Sequence, residues 1–545
     1  MISKVLLVLL VAVFAGGYGD VINFDLSTYK PDDVDTHVFM QFHNFSTDYS
    51  EIIISNIGDN VGFIVVQVHS YLTNVTLAFN NSSDIHSRVI GTNIGLIYAD
   101  DNSTAFFSVN KKYKRSINIL LVVTIHKDTD PVPGGCNLTF NNKVAPYQML
   151  SFTDDLIRVD FQAPSGYGVD CDKNPIKIDK YHLFLPEYDN TEAIYFDYLL
   201  KMIKVEDIVK NGYRARNYEG YYKYRTLYST YRGTGEVFVV VATYNNASSA
   251  YVPAISFGCD YINSWSESCS GPSTTHWKYV CATYLIFGMF VCLLGHYFYK
   301  TSITISAYIS GVLITYIVVS LTGNFTFEER STTSLVLGLA YAMAWLFIWC
   351  RFGSPFVSTS LSYLLTGFLI ASCIFYIIAD LPMFRNNANY WLTFNGIISG
   401  TFIILWSFYS MGHIVSCALL GSYAVTAALN YYCGGYFQYI VLNSIKRATV
   451  KNYYMAVVDP PYQAIDLMLT VLWAVLFLTG CCIQNKIQRR RAPFPSSRNY
   501  FRDAPLLLRG RLFFDQSLNE NEEQRSQREQ QTETSPLLRN VPEYV

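Results

Sequence analysis

The chain has 545 residues, 51% of them hydrophobic and only 15% charged, with a formal net charge of -2 at pH 7. That balance excludes an ordinary soluble multidomain protein. It offers neither a basic field for nucleic acid nor an acidic solvating block, so a membrane protein with no nucleic-acid partner remains.

The N-terminus, MISKVLLVLLVAVFAGGYG, places Lys4 before an apolar run and ends in small residues. Residues 1–19 therefore read as a secretory signal peptide, too short to span a bilayer comfortably. From Asp20 to about residue 276 no apolar run is long enough to cross. Short β-branched and aromatic runs recur there between turn formers: FIVVQVHSYL from 63, NILLVVTI from 118, LIRVDFQ from 156 and VFVVVATY from 237. They predict a β-rich ectodomain of one or two sandwiches, with a sub-boundary near Asn142. Phe196, Leu199, Leu200 and Ile203 recur at helical spacing, so 192–210 predicts one amphipathic helix against the second sheet.

Asn44, Asn74, Asn80, Asn81, Asn102, Asn137 and Asn246 begin N-x-S/T triplets behind the signal peptide, which predicts a glycosylated luminal or extracellular domain. Asn324 begins an eighth, in a loop so short that we expect it bare. Four of the twelve cysteines, Cys136, Cys171, Cys259 and Cys269, lie in this domain. An even number in an oxidising compartment favours two disulfides over a zinc site, there being no CxxC pair or clustered histidines. Three connectivities are open, and proximity favours Cys136 with Cys171 and Cys259 with Cys269.

Seven apolar stretches follow, at 279–299, 303–322, 332–350, 356–379, 391–410, 412–432 and 463–483. They predict an all-α seven-transmembrane bundle over 277–484, with an odd span count that puts the C-terminus in the cytosol. Basic residues barely discriminate the topology: Lys300, Arg351, Lys486 and Arg489 to Arg491 fall on one side, Lys278, Arg330, Arg385, Lys446, Arg447 and Lys451 on the other. Signal peptide and sequons decide it instead. The segment 436–458 interleaves apolar and polar residues and reads as a helix lying along the interface. Small residues at fours mark close helix packing: Gly396 with Gly400, Ser334 with Gly338 and Ala342, and Gly367 with Ala371.

Ionisable groups at mid-membrane, which pumps and carriers need, are nearly absent. His296 and His413 sit at cytosolic ends in interfacial roles, Asp380 and Asp466 at luminal ends, and Asn395 is the deepest strong polar group. HExxH and GxSxG do not occur, so no catalytic residue, metal or cofactor is expected. A rhodopsin-like receptor is disfavoured: no acidic residue precedes Arg351 in WCRFG, and DPPY at 459–462 lies before the last span.

DPVPGGCNLTF at 130–140, NASSAYVPA at 246–254, LGHYFYKT at 294–301, WCRFG at 349–353, GSYAV at 421–425 and YIVLNSIKRA at 439–448 resemble the transmembrane 7 superfamily member 3 family. Its membrane half is shared with transmembrane protein 198. The resemblance covers nearly the whole chain. It implies a non-enzymatic membrane glycoprotein associated with cell survival and with restraint of endoplasmic reticulum stress and the unfolded protein response, and through the relative a scaffold in receptor signalling. It defines no catalytic residues.

Residues 485–545 are rich in Arg, Gln, Glu and Asn and cannot bury a core, which predicts a disordered cytosolic tail. Glu533 with Leu537 and Leu538 fits the acidic dileucine pattern read by clathrin adaptors; Asp503 with Leu507 and Leu508 is a weaker copy. The chain therefore reads as a homeostatic regulator or scaffold of the plasma or endolysosomal membrane, meeting a luminal or extracellular protein partner and the lipid bilayer. An atypical receptor is the second reading and a channel or transporter the third.

Overall fold

The computed structural model describes residues 20–489 except 32–36, 80–86, 101, 112–114, 167, 174, 187–188, 216–222, 260–268, 270–274, 324, 353 and 379. The signal peptide, Asn80, Asn81, Asn324 and both dileucine patterns lie outside the described residues. The chain divides into two compact units, one joining residues up to Val280 with Tyr376–Tyr390 and Cys433–Leu467, the other holding Cys281–Phe375, Trp391–Tyr432 and the chain from Met468.

In the first unit, β1 (Asp20–Asp25), β3 (Tyr49–Ser55), β8 (Thr104–Lys111), β5 (Val75–Phe79) and β6 (Arg88–Gly91) form one sheet in that order. The facing sheet runs β2 (Val38–Phe45), β9 (Ile117–His126), β4 (Phe63–Ser70), β7 (Asn93–Tyr98). All eight residues of β4 are buried, the polar Gln67, His69 and Ser70 included, so the strand shows no alternation of a buried and a solvent face. The cause is visible in β9. Ile119, Leu121, Val123 and Ile125 enter the first core, whereas Leu120 and Val122 join a second core with Tyr181, Leu199 and Val239.

The second sandwich contributes β10 (Val132–Cys136) paired with β13 (Ala163–Ser165), and β11 (Met149–Phe152), β12 (Leu156–Asp160) and β16 (Arg225–Ser229) in one sheet. Its largest sheet orders β15 (Tyr213–Ala215), β14 (Lys177–Phe184), β17 (Glu236–Tyr244) and β18 (Ala247–Ala250), with β19 (Ala254–Ser256) also on β17. The break between sandwiches falls between His126 and Val132, ahead of Asn142. A shared linker obscures it: Ala145 and Tyr147 fill the first core, while β10 pairs within the second domain. The amphipathic stretch forms two helices, α1 (Glu192–Leu200) and α2 (Val205–Asn211), burying Phe196, Leu199 and Ile203 in the second core.

Among the described residues seven longer helices follow: α3 (Thr275–Leu294), α4 (Tyr299–Thr322), α5 (Phe327–Phe352), α6 (Pro355–Ile378), α7 (Asn387–Ser407), α8 (Tyr409–Cys433) and, after the short α9 (Tyr439–Thr449), α10 (Ala464–Gln488). Six are long and apolar enough to cross a membrane; α7, with 21 residues, has the length but is not among those six. Asn387, Asn389 and Asn395 lower its apolarity. Within the second unit, Gly421 of α8 lies where a Cβ would come 2.4 Å from the Cys292 nitrogen of α3, and one on Gly480 of α10 would come 2.6 Å from the Cys292 carbonyl oxygen. Three helices therefore meet at Cys292 on glycine contacts.

Candidate functional site

The segment joining α8 to α10 is the most informative part of the first unit. Helix α9 turns Asn443, Ser444 and Lys446 inward and leaves Leu442 exposed. Its polar face meets protein, so the expectation of a helix lying on the interface is replaced by a helix docked on the second sandwich. An alternating pattern of polar and apolar positions shows that two faces differ, not whether the polar one meets water or backbone carbonyls.

Lys446 donates from Nζ to the Thr230 carbonyl at 3.1 Å and stands 3.6 Å from Asp155 Oδ1. Burial pushes its pKa down to about 8. Arg447 donates from Nη2 to the Phe384 carbonyl at 2.8 Å, its guanidinium 4.6 Å from the Tyr390 ring centroid. Burial lowers its pKa to about 10. Arg385 donates from Nη1 to the Met455 carbonyl at 3.0 Å. Three of the basic residues that confuse a side-by-side charge count are thus committed to protein carbonyls.

Beyond α9, Asn452 adopts a left-handed φ of 63° and turns the chain back. Val457 then joins β16 as one parallel rung: its N–H donates to the Leu227 carbonyl at 2.8 Å and its carbonyl accepts from Ser229 N–H at 3.0 Å. The Tyr453 hydroxyl is 2.8 Å from Ser229 Oγ, and the Tyr436 hydroxyl meets Thr234 Oγ1. Asp466, in the first turn of α10, accepts from Tyr436 N–H at 2.6 Å and reaches back to Gln463 N–H at 3.3 Å, as a residue closing a helix N-terminus does. Nearby, His182 on β14 faces Glu236 and Asp459.

The sequons that the structure describes fall on the two sandwiches. Asn44, Asn74, Asn102 and Asn246 are exposed, whereas Asn137 is half-buried. Asn245 and Asn246 both have positive φ, 47° and 67°, and form the two-residue turn between β17 and β18. Cys136 is bonded to Cys171 and Cys259 to Cys269, as proximity suggested.

In the second unit the structure brings His296 and His413 together, Nδ1 to Nδ1 at 3.0 Å. His296 Nε2 is 3.0 Å from Gln488 Oε1, and Ser302 Oγ is 3.3 Å from His413 Nε2. The two side chains are 4% and 0% exposed, so protein covers both, His296 just past the end of α3 and His413 near the start of α8. Sequence reasoning missed this pairing because 117 residues separate them. Among the described residues no group of three His, Cys, Asp or Glu could hold a metal ion.

The small-residue patterns divide. A Cβ on Gly338 would lie 2.4 Å from Val312 Cγ2, and one on Gly367 would lie 3.0 Å from the Ile398 backbone. A Cβ on Gly396 or Gly400 would have nothing within 4 Å, so among the described residues the GxxxG face of α7 makes no close contact.

Three of the motifs that carry the family resemblance make packing contacts. Gly134, in DPVPGGCNL, has a φ of 68° and a Cβ there would strike the Ala145 carbonyl; its N–H donates to the Tyr251 hydroxyl at 3.0 Å. Tyr251 comes from NASSAYVPA. Tyr423, in GSYAV, sets its ring edge-on to Trp473 at 5.7 Å.

Comparison with known proteins matches residues 35–126 to a TM7SF3-like, N-terminal immunoglobulin-like domain and 131–262 to a TM7SF3-like, second immunoglobulin-like domain. Residues 281–485 match a TM7S3/TM198-like domain. Human transmembrane 7 superfamily member 3 is 27% identical over 464 residues, covering 82% of this chain and 81% of its own length. The mouse protein of that name is 26% identical, covering 82% of each.

Proposed function

The chain belongs to the transmembrane 7 superfamily member 3 family, and from that membership we propose a non-enzymatic regulator or scaffold of membrane homeostasis that supports cell survival and restrains endoplasmic reticulum stress and the unfolded protein response. It is a multi-pass membrane protein. In this reading the sandwiches carry glycans outside the cytosol, the tail is cytosolic, and the protein resides in the plasma or endolysosomal membrane of the secretory pathway. The sandwiches meet a luminal or extracellular protein partner, and clathrin adaptors read Glu533, Leu537 and Leu538.

The supporting observation is the Val457 rung on β16. It makes the chain leading into the last helix part of the sandwich domain, as a scaffold needs if what occupies the sandwiches is to bear on the helices. The test is rescue. In cells lacking the protein and treated with a glycosylation inhibitor, the full chain lowers an unfolded-protein-response reporter, and a chain without residues 20–276 does not. Equal reporter signal with and without the full chain sinks the reading. Substituting Leu537 and Leu538 by Ala raises surface level; unchanged internalisation removes the sorting element.

The same rung favours a second reading, an atypical receptor in which a ligand on the sandwiches shifts the last helix. It predicts a signalling output that needs a soluble ligand, whereas the scaffold works without one.

A further inference from the structure

His182 occupies β14 with 2% exposure, and each ring nitrogen faces a carboxylate: Nδ1 is 2.8 Å from Glu236 Oε1 of β17, Nε2 is 3.6 Å from Asp459 Oδ2. A neutral imidazole carries one N–H, so with Nδ1–H on Glu236 it turns the Nε2 lone pair toward the Asp459 carboxylate; the imidazolium keeps the hydrogen bond to Glu236 and gains an ion pair with Asp459. We propose that His182 is a proton-operated clasp between the second sandwich and the segment leading into the last helix, closed when the ring is doubly protonated and loosened when it is not.

The surroundings favour this over a fixed buried pair. Rings of Tyr213 from β15, Tyr228 from β16 and Phe184 from β14 stand 6.1, 5.3 and 5.5 Å away and carry no charge. Asp380 adds a third negative charge acting on the ring, itself 3.5 Å from Arg385. Lys180, two residues along the strand, is the nearby cation on β14 and feels Arg385 as well. Asp459 is half exposed, so protons and water reach the outer side of the clasp. Asp459 also lies two residues beyond Val457, so its attachment bears directly on the rung to β16.

The direction follows from the charges. Burial opposes a charged ring, but the hydrogen bond and charge of Glu236 and the charges of Asp459 and Asp380 outweigh it and raise the His182 pKa above 6.5. The clasp is therefore at full strength below the ordinary histidine range and is lost as pH rises through the raised value. On the acid side burial lifts Glu236 above 4.5 and Asp459 above 3.8, and their protonation ends the window. The segment leading into the last helix is therefore held most firmly in mildly acidic surroundings and relaxes as pH rises through the raised value.

The test is hydrogen–deuterium exchange of the full chain in lipid nanodiscs at about pH 6 and about pH 8, with exchange times scaled for intrinsic rate. Peptides holding Val457 and Ser229 should exchange several-fold faster at the higher pH, while those from β4 and β9 should not change. His182→Gln should remove the difference. Asp459→Ala, at a half-exposed side chain that the fold tolerates, should do so as well, with β14 and β17 still protected. Equal protection of the Val457 peptide at both pH values overturns the clasp. So does an Asp459→Ala chain that keeps the wild-type pH difference, or a loss of protection spread over both sandwiches.

Discussion

The ammonium of Lys446 donates to the carbonyl of Thr230 at 3.1 Å across 216 residues of sequence. This contact gives helix α9 a protein partner and offsets part of the cost of burying the charge. Lys446→Ala leaves the Thr230 carbonyl unpaired and should cost about 1–3 kcal/mol, read as a lower unfolding midpoint of the detergent-solubilised chain. Lys446→Met keeps the aliphatic stem and should lie between wild type and Lys446→Ala. The folded pKa near 8 is below the ordinary lysine value of 10.5, so the folded chain releases this proton first. Wild type should therefore gain stability relative to Lys446→Met as pH rises through that interval; a gap that narrows or stays constant contradicts the burial of the ammonium.

The two disulfides close loops of different size, 35 and 10 residues apart in sequence. In the chain-entropy account the longer loop contributes roughly 1 kcal/mol more. Replacing Cys136 and Cys171 together by Ser should lower the unfolding midpoint further than replacing Cys259 and Cys269.

Glycan occupancy should follow local geometry. Asn137 donates from Nδ2 to the Phe140 carbonyl at 3.0 Å and to the Asn142 carbonyl, while its Oδ1 accepts from Phe140 N–H at 2.9 Å. A sugar on Nδ2 removes one of its two hydrogens and breaks that turn. Peptide mass spectrometry should find Asn44, Asn74, Asn102 and Asn246 occupied and Asn137 largely bare.

Glycine substitutions should separate two kinds of helix face. Gly421→Leu places atoms against the Cys292 backbone and should abolish a monodisperse peak in size-exclusion chromatography. Gly396→Leu and Gly400→Leu meet open space and should leave the fold intact. Loss of the folded peak in either α7 variant would show that this face packs within the chain.

What the sequence determined by itself was everything fixed by period and composition. The seven long helices, the run of strands and the helical spacing of Phe196, Leu199 and Ile203 were legible because each depends on residues close together in the chain, whereas the four cysteines left three connectivities open and proximity only favoured the observed pairs. The contacts that define the candidate site were not. Lys446 with Thr230, Val457 with Leu227 and Ser229, His182 with Asp459, and His296 with His413 join residues more than a hundred positions apart. Local pattern marks α9 as two-faced, but only tertiary packing could decide that its polar face meets a sandwich rather than water. The physical reason is that a hydrogen-bonding group needs a partner of the right chemistry, and the sequence does not say where in space that partner will be.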